Sequence, residues 1–207
     1  METLHAPSIA PDEDVRAGAT LPVIVPANDG VVDADTALSL IGISNVPVLA
    51  VANGFTRSPR RIVVAVDFSE VSLRVARLAV ELAGPNALIY LAHAISRDSA
   101  LRDASTVGLS CRHNAADALL KMCAQLRLAP GVSLHRILLQ GDPATEVLAF
   151  ATNGSADLIA IGSHGRGFLT REFVGGVATR ILQHSRCSVL TVPYDVNSTA
   201  GGPTTNA

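Results

Sequence analysis

The chain has 207 residues, 48% of them hydrophobic and only 3% aromatic, with a formal net charge of −2. That length holds one full domain plus something smaller, and an aliphatic core of this kind suits a parallel sheet covered by helices. Scattered lysines and arginines exclude a nucleic-acid footprint, and three cysteines with no CxxC pair fit a reduced, cytoplasmic compartment.

Residues 1–20 are rich in Ala, Pro and acids, lack periodicity and read as a mobile tail. They carry Glu2, Asp12, Glu13 and Asp14 in place of a basic segment followed by an apolar one, so no secretory signal is visible. The most membrane-like stretch, Ala37 to Ala52, is shorter than the roughly 20 residues a span needs. Asn45 and Pro47 interrupt it, so it reads as a helix and a strand with no membrane role. Residues 196–207 resemble the N-terminal tail in composition.

From 61 to 195 strand and helix signals alternate. Arg61 to Val66 is a continuous apolar run, hence a buried strand, and Ser69 is positioned to cap the helix that follows. Val71, Val75, Leu78 and Leu82 recur at helical spacing, and Gly84-Pro85 stops the helix. Ala87 to Ile95 is a second strand, and Ala115, Leu119, Met122 and Leu126 mark a second helix. Val132 to Gln140 is a third strand whose weaker alternation suits a sheet edge. Asp142-Pro143 reads as an N-cap with proline at the first helical position. Leu158 to Ile161 is the fourth strand, Val177, Ile181 and Leu182 belong to the next helix, and Ser188 to Val192 is the last strand.

This alternation predicts an α/β fold, a doubly wound five-stranded parallel sheet. Ligands in such sheets sit beyond the carboxyl ends of strands, where the strand order reverses. Asp67 follows the first strand and Gly162 the fourth, so the order 3-2-1-4-5 lets them share one ligand. The segment Gly162-Ser163-His164-Gly165-Arg166-Gly167, continuing to Gly175-Gly176-Val177, combines glycines, two arginines (Arg166 and Arg171) and a helix N-terminus. Glycines allow close backbone approach, and a helix N-terminus offers unpaired N–H groups to an anion. Together they describe a phosphate cradle.

Other chemistry is less well supported. The nucleophile elbow of hydrolases needs Gly-x-Ser-x-Gly, which Gly162-Ser163-His164-Gly165 lacks, and side chains as close in sequence as Ser163 and His164 are expected to point apart. A P-loop motif is absent. Cys111-Arg112-His113 has no second pair at ligand spacing, so no metal site is expected. An aspartate after a strand, such as Asp67, often serves only as a turn residue. The remaining histidines, His93 among them, are expected at surface or satisfied positions.

Residues 61–195 resemble the universal stress protein family, of the ATP-binding, flavodoxin-like type. The resemblance is carried by Arg61 to Ser69, Leu91-Ala92-His93-Ala94, Gly141-Asp142-Pro143, Asp157 to Gly167 and Cys187 to Pro193, in that order and spacing. It implies an ATP site, with Mg2+ as a companion of the phosphates. Ala65 and Asp67 would lie against the adenosine part, and the backbone near Ala94 against adenine. Ile161, Gly162, His164, Gly165 and Arg166 would line ribose and phosphates, and Gly175, Gly176 and Val177 would hold phosphates through main-chain N–H groups. The family commonly has Ser or Thr where Gly176 stands. One hydrogen bond to a charged group is worth about 1.5–3 kcal/mol, or roughly tenfold to a hundredfold in affinity, so binding is expected to be weakened, not abolished. No residue stands out as a general base for water, so at most slow hydrolysis is expected. A scaffold of the same fold that binds no nucleotide is the alternative.

Residues 21–60 contain an apparent repeat of the chain's end. Val46 to Val51 resembles Cys187 to Val192, and extending without a gap pairs Ala37 with Ala178, Leu40 with Ile181, Ile41 with Leu182 and Ser44 with Ser185. This predicts a degenerate strand–helix–strand remnant of a first domain. In the family the last strands of two domains often pair across a twofold axis. The resemblance therefore implies either a homodimer or an intramolecular pseudo-dimer through Ser188–Val192.

Overall fold

The computed structural model describes residues 22–55, 58–95, 106–164 and 174–194. Its elements in chain order are β1 (Val23–Val25), α1 (Ala34–Ile43), β2 (Val48–Ala50), β3 (Arg61–Ala65), α2 (Glu70–Leu82), β4 (Leu88–Ile95), α3 (Thr106–Cys123), β5 (Ser133–Gln140), α4 (Pro143–Asn153), β6 (Leu158–Gly162), α5 (Gly176–His184) and β7 (Ser188–Val192). The strands form one sheet in the order β1-β2-β7-β6-β3-β4-β5. All neighbouring pairs are parallel except β2–β7.

The sheet has seven strands, not five, and it is not wholly parallel. The difference comes from the N-terminal segment. β7 would be an edge without it, and β2 pairs with that edge in the antiparallel sense, placing Val48, Leu49 and Ala50 opposite Thr191, Leu190 and Val189. β1 then adds to β2 in parallel.

Strand alternation sorts the core into two layers. Val63, Ala92, Ile159, Ile161 and Val189 face one side, where Ala37 and Ile41 of α1, Val147 and Ala151 of α4, and Ala178, Ile181 and Leu182 of α5 cover them. Ile62, Val64, Ile89, Leu91, Ala160 and Leu190 face the other, against Val71, Val75, Ala76 and Ala79 of α2 and Leu119 and Met122 of α3. The layers are aliphatic, as the composition requires.

Caps fix where the helices begin. Asp33 Oδ1 accepts from Thr36 N at 3.1 Å at the start of α1. Ser69 Oγ accepts from Ser72 N at 3.2 Å for α2, and Asp142 Oδ1 accepts from Thr145 N at 3.0 Å for α4, with Pro143 at its first position. Each such cap satisfies a helix N–H that would otherwise lack a partner. α5 differs: Gly175 caps it with no side-chain hydrogen bond.

The ends of α1 and α5 repeat each other in atomic detail. Ser44 N donates to Leu40 O, and Ser185 N to Ile181 O. Ser44 Oγ exchanges hydrogen bonds with Val46 O and Val46 N, at 3.2 and 3.1 Å. Ser185 Oγ does the same with Cys187 O and Cys187 N, at 2.7 and 3.3 Å.

Candidate ligand site at the carboxyl ends of the strands

The carboxyl ends of β3, β4 and β6 and the start of α5 enclose a cavity of about 210 Å3. Its wall contains Ala65, Asp67, Ala94, Ile161, Gly162, His164, Gly175, Gly176 and Val177, which the sequence singles out from four separate segments. Gly165 and Arg166 lie outside the described residues, as does Arg171. Val66, Ser72, Ala92, His93, Pro143, Val147, Ser163 and Ala178 also line it.

Asp67 does what a turn aspartate does. Its Oδ1 accepts from Ser69 N at 3.0 Å, from Ser69 Oγ at 2.6 Å and from Ser72 Oγ, while Asp67 N donates to Ser72 Oγ at 3.0 Å. Phe68, between them, has φ 64°, a conformation that is strained for a bulky residue. The turn and the N-cap of α2 are thus one network, and Asp67 stands in the cavity wall because of it.

His93 is satisfied, yet it is part of the site. Its Nδ1–H donates to Val66 O at 2.8 Å, which fixes the tautomer because a carbonyl can only accept. Its ring lies 4.3 Å from that of Phe68. The clue to His93 was its place beside Ala94 at the end of β4. Composition and motif spacing alone could not separate it from the other histidines.

At the end of β6 the chain is tightly held. A Cβ on Gly162 would approach Val71 Cγ1 to 2.9 Å, so a side chain here would collide with the first turn of α2. Ser163 is 1% exposed and His164 8%. Their side chains do meet, contrary to expectation: Ser163 Oγ lies 2.8 Å from His164 Nδ1. The turn out of the strand brings them together, but Ser163 Oγ also accepts from Tyr194 N at 3.2 Å, so the hydroxyl is held in structural bonds.

Ser163 O accepts from Gly175 N at 2.7 Å, and the first helical bond of α5 runs from Thr179 N to Gly175 O. The N–H groups of Gly176, Val177 and Ala178 precede that bond, and all three residues line the cavity. A Cβ on Gly176 would meet nothing within 4 Å. A helix start that lines a cavity with no side-chain cap among the described residues favours a negatively charged group.

At the rim, Arg180 Nη1 donates to Asp142 Oδ1 at 2.8 Å and Arg180 Nη2 to Thr145 Oγ1 at 3.2 Å, tying α5 to the cap of α4. The Thr145 hydroxyl and N–H, with Arg180 beside them, hold the Asp142 carboxyl below its ordinary range. Among the described residues no group of three or more His, Cys, Asp and Glu is placed to hold a metal ion.

A mostly parallel sheet with helices on both faces and a cavity at the carboxyl ends of its strands defines a doubly wound α/β protein. The family model described as the universal stress protein family matches residues 59–193. The chain belongs to that family. It is 30% identical over 139 residues to universal stress protein MJ0531 of Methanocaldococcus jannaschii, covering 64% of this chain and 81% of that one. The solved structure of hypothetical protein MJ0577 superposes with a TM-score of 0.59 at 21% identity, over 66% of this chain and 96% of that one. PA1789 of Pseudomonas aeruginosa PAO1, a functionally unknown protein, superposes with a TM-score of 0.57 at 18% identity, over 83% of this chain and 62% of that one. No described helix is long and apolar enough to cross a membrane.

Proposed function

We propose that this protein binds an adenine nucleotide, ATP with Mg2+, and acts in the cytoplasm as a nucleotide-dependent stress-response regulator. The observation that carries the reading is the N-terminus of α5, which has no side-chain cap among the described residues and lines the same cavity as Asp67 and Ala94. The residues present fit the ligand. Gly176 and Val177 would hold phosphates through N–H groups, joined by Gly165 and Arg166 of the connecting segment. The N–H of Gly175, expected to do the same, is bonded to Ser163 O instead, so Gly175 would line the phosphates without donating to them. Ala65, Ala94 and Ile161 would line an apolar slot for the base and ribose, with Asp67 at its edge. Magnesium would arrive coordinated by the phosphates and water. The protein would act through a change of shape or partner on binding, with slow hydrolysis or none.

The test is calorimetric titration of the full chain with ATP and Mg2+, beside Gly176→Asp. An aspartate here has open space and suits a helix start, so the fold should survive while the phosphates are repelled. Binding by the native chain that the variant loses supports the reading. No binding at millimolar ATP overturns it in favour of an interaction scaffold, which the missing hydroxyl at Gly176 favours.

We read residues 21–60 as the remnant of a first domain, joined to a nucleotide-binding domain at 61–195. The matching helix ends at Ser44 and Ser185 support this. So does the wider superposition on PA1789, which at 83% of the chain exceeds the family region. On this reading the chain is an intramolecular pseudo-dimer. A dimer joined through β7, detected as a disulfide between copies carrying Leu190→Cys, would refute it.

A further inference from the structure

The two residues that begin the glycine-rich segment stand between two cavities. On one side Ser163 and His164 line the large cavity. On the other they line a small one, about 40 Å3, whose remaining wall is Ile41 to Asn45, Pro193 and Tyr194. Ile41 to Asn45 is the end of α1 and the residues just beyond it. The N-terminal unit thus reaches the back of the candidate site, although the large cavity's wall contains none of its residues.

Ser163 is the node through which such a contact could act. Its N–H donates to Val192 O at 2.8 Å, its carbonyl accepts from Gly175 N, and its hydroxyl accepts from Tyr194 N. Gly175 is the N-cap of α5, so the position of Ser163 sets where the open helix start stands. α1 is itself fixed. Ala37 and Ile41 share a core layer with Ala178, Ile181 and Leu182 of α5, and the Ser44 hydroxyl closes the helix end on Val46.

We propose that the last turn of α1 is a positioning element of the ligand site, backing Ser163 and His164 and, through Ser163, holding the start of α5 in register with the cavity. The part of this proposal that concerns affinity rests on the nucleotide reading; the mechanical part does not. Coupling between two places is reciprocal: loosening α1 weakens the ligand, and the ligand quiets the end of α1.

Two substitutions in the full chain push α1 in opposite directions. Ser44→Ala removes the hydroxyl that closes the helix. Gly42→Ala stiffens the last turn, since its Cβ would meet nothing within 4 Å and alanine favours a helix. Amide hydrogen exchange is followed at Ser163, Gly175 and Tyr194, with and without ATP and Mg2+. Without nucleotide, exchange at these three amides should rise in Ser44→Ala and fall in Gly42→Ala. ATP affinity should drop about fivefold in Ser44→Ala, the low end of usual coupling. Binding should also slow exchange at Gly42 to Asn45 of the native chain. Exchange changes confined to α1 and β2 in both variants, with ATP affinity unaltered, overturn the proposal and leave the nucleotide reading standing. If the three amides follow α1 but the native chain binds no ATP, the mechanical link is upheld and the nucleotide reading fails.

Discussion

Leu49 and Leu190 face each other across the antiparallel junction of β2 and β7, and the pairing on either side of them is symmetric. In the internal repeat Val48 corresponds to Val189 and Ala50 to Thr191. In the sheet Val48 lies opposite Thr191 and Ala50 opposite Val189. A local twofold axis therefore passes between the two leucines. The edge of β7 that a second copy would need is taken by the chain's own N-terminal unit.

The sheet edge that this creates is poorly suited to further pairing. β1 is three residues long, and Val23 N and Val25 O are already bonded inward, to Pro47 O and Val51 N. That leaves the Ile24 backbone facing out, between Pro22 and Pro26, which cannot donate. Prolines and short strands are common ways of closing an edge, and here they flank a side chain that is 64% exposed. The chain is predicted to be a monomer at micromolar concentration, with light scattering giving about 21.4 kDa. A mass near twice that would show that the covered β7 edge does not prevent association.

Much of this was legible because period and punctuation agree. Ser69 and Asp142 could be read as caps since each precedes an amphipathic run, and both bond the helix start as such residues do. Gly162 and Asp67 could be placed at strand ends because the apolar runs before them stop there. Val46 to Val51 could be matched to Cys187 to Val192, and the order 3-2-1-4-5 leaves the last strand at an edge for it to pair with. The count of five omitted that β2, and β1 beside it, then join the same sheet. The Ser163–His164 contact was illegible because it depends on how the chain turns out of β6. His93 was missed because its role comes from a neighbour in space, Phe68, 25 positions earlier in the chain.

Gly176→Ser should tighten ATP binding. The added Cβ has free space, and a hydroxyl at the helix start adds one donor for a phosphate oxygen, worth about 1.5–3 kcal/mol. Titration should show affinity rising by about tenfold or more. Unchanged affinity would mean that the phosphates, if bound, do not reach the start of α5.

Thr191→Val should stabilise the fold. Thr191 is fully buried, and among the described residues its Oγ1 has no hydrogen-bond partner. Its neighbours in the sheet are Val48 and Ile161. A buried hydroxyl without a partner costs about 1–3 kcal/mol, and valine has nearly the same shape. Denaturant unfolding should show a gain of about 1 kcal/mol. A loss would reveal a buried water bonded to Thr191 Oγ1.

Asp142 should contribute to acid sensitivity, with a defined sign. Its carboxyl is held below the ordinary range first by Thr145 and then by Arg180. A group whose folded value is depressed gives stability that is present above its unfolded value, about 3.9, and is lost as pH falls through the folded value. Asp142→Asn keeps a competent N-cap but removes the charge and the ion pair with Arg180. At pH 7 the variant should be less stable than the native chain, by a small amount because both side chains are about half exposed. Below about pH 4 the two stability curves should converge. Unfolding followed from pH 7 to pH 2 checks this. A gap that persists unchanged into acid would assign the effect to cap geometry, and no gap at pH 7 would mean that the folded Asp142 carboxyl is not held below its ordinary range.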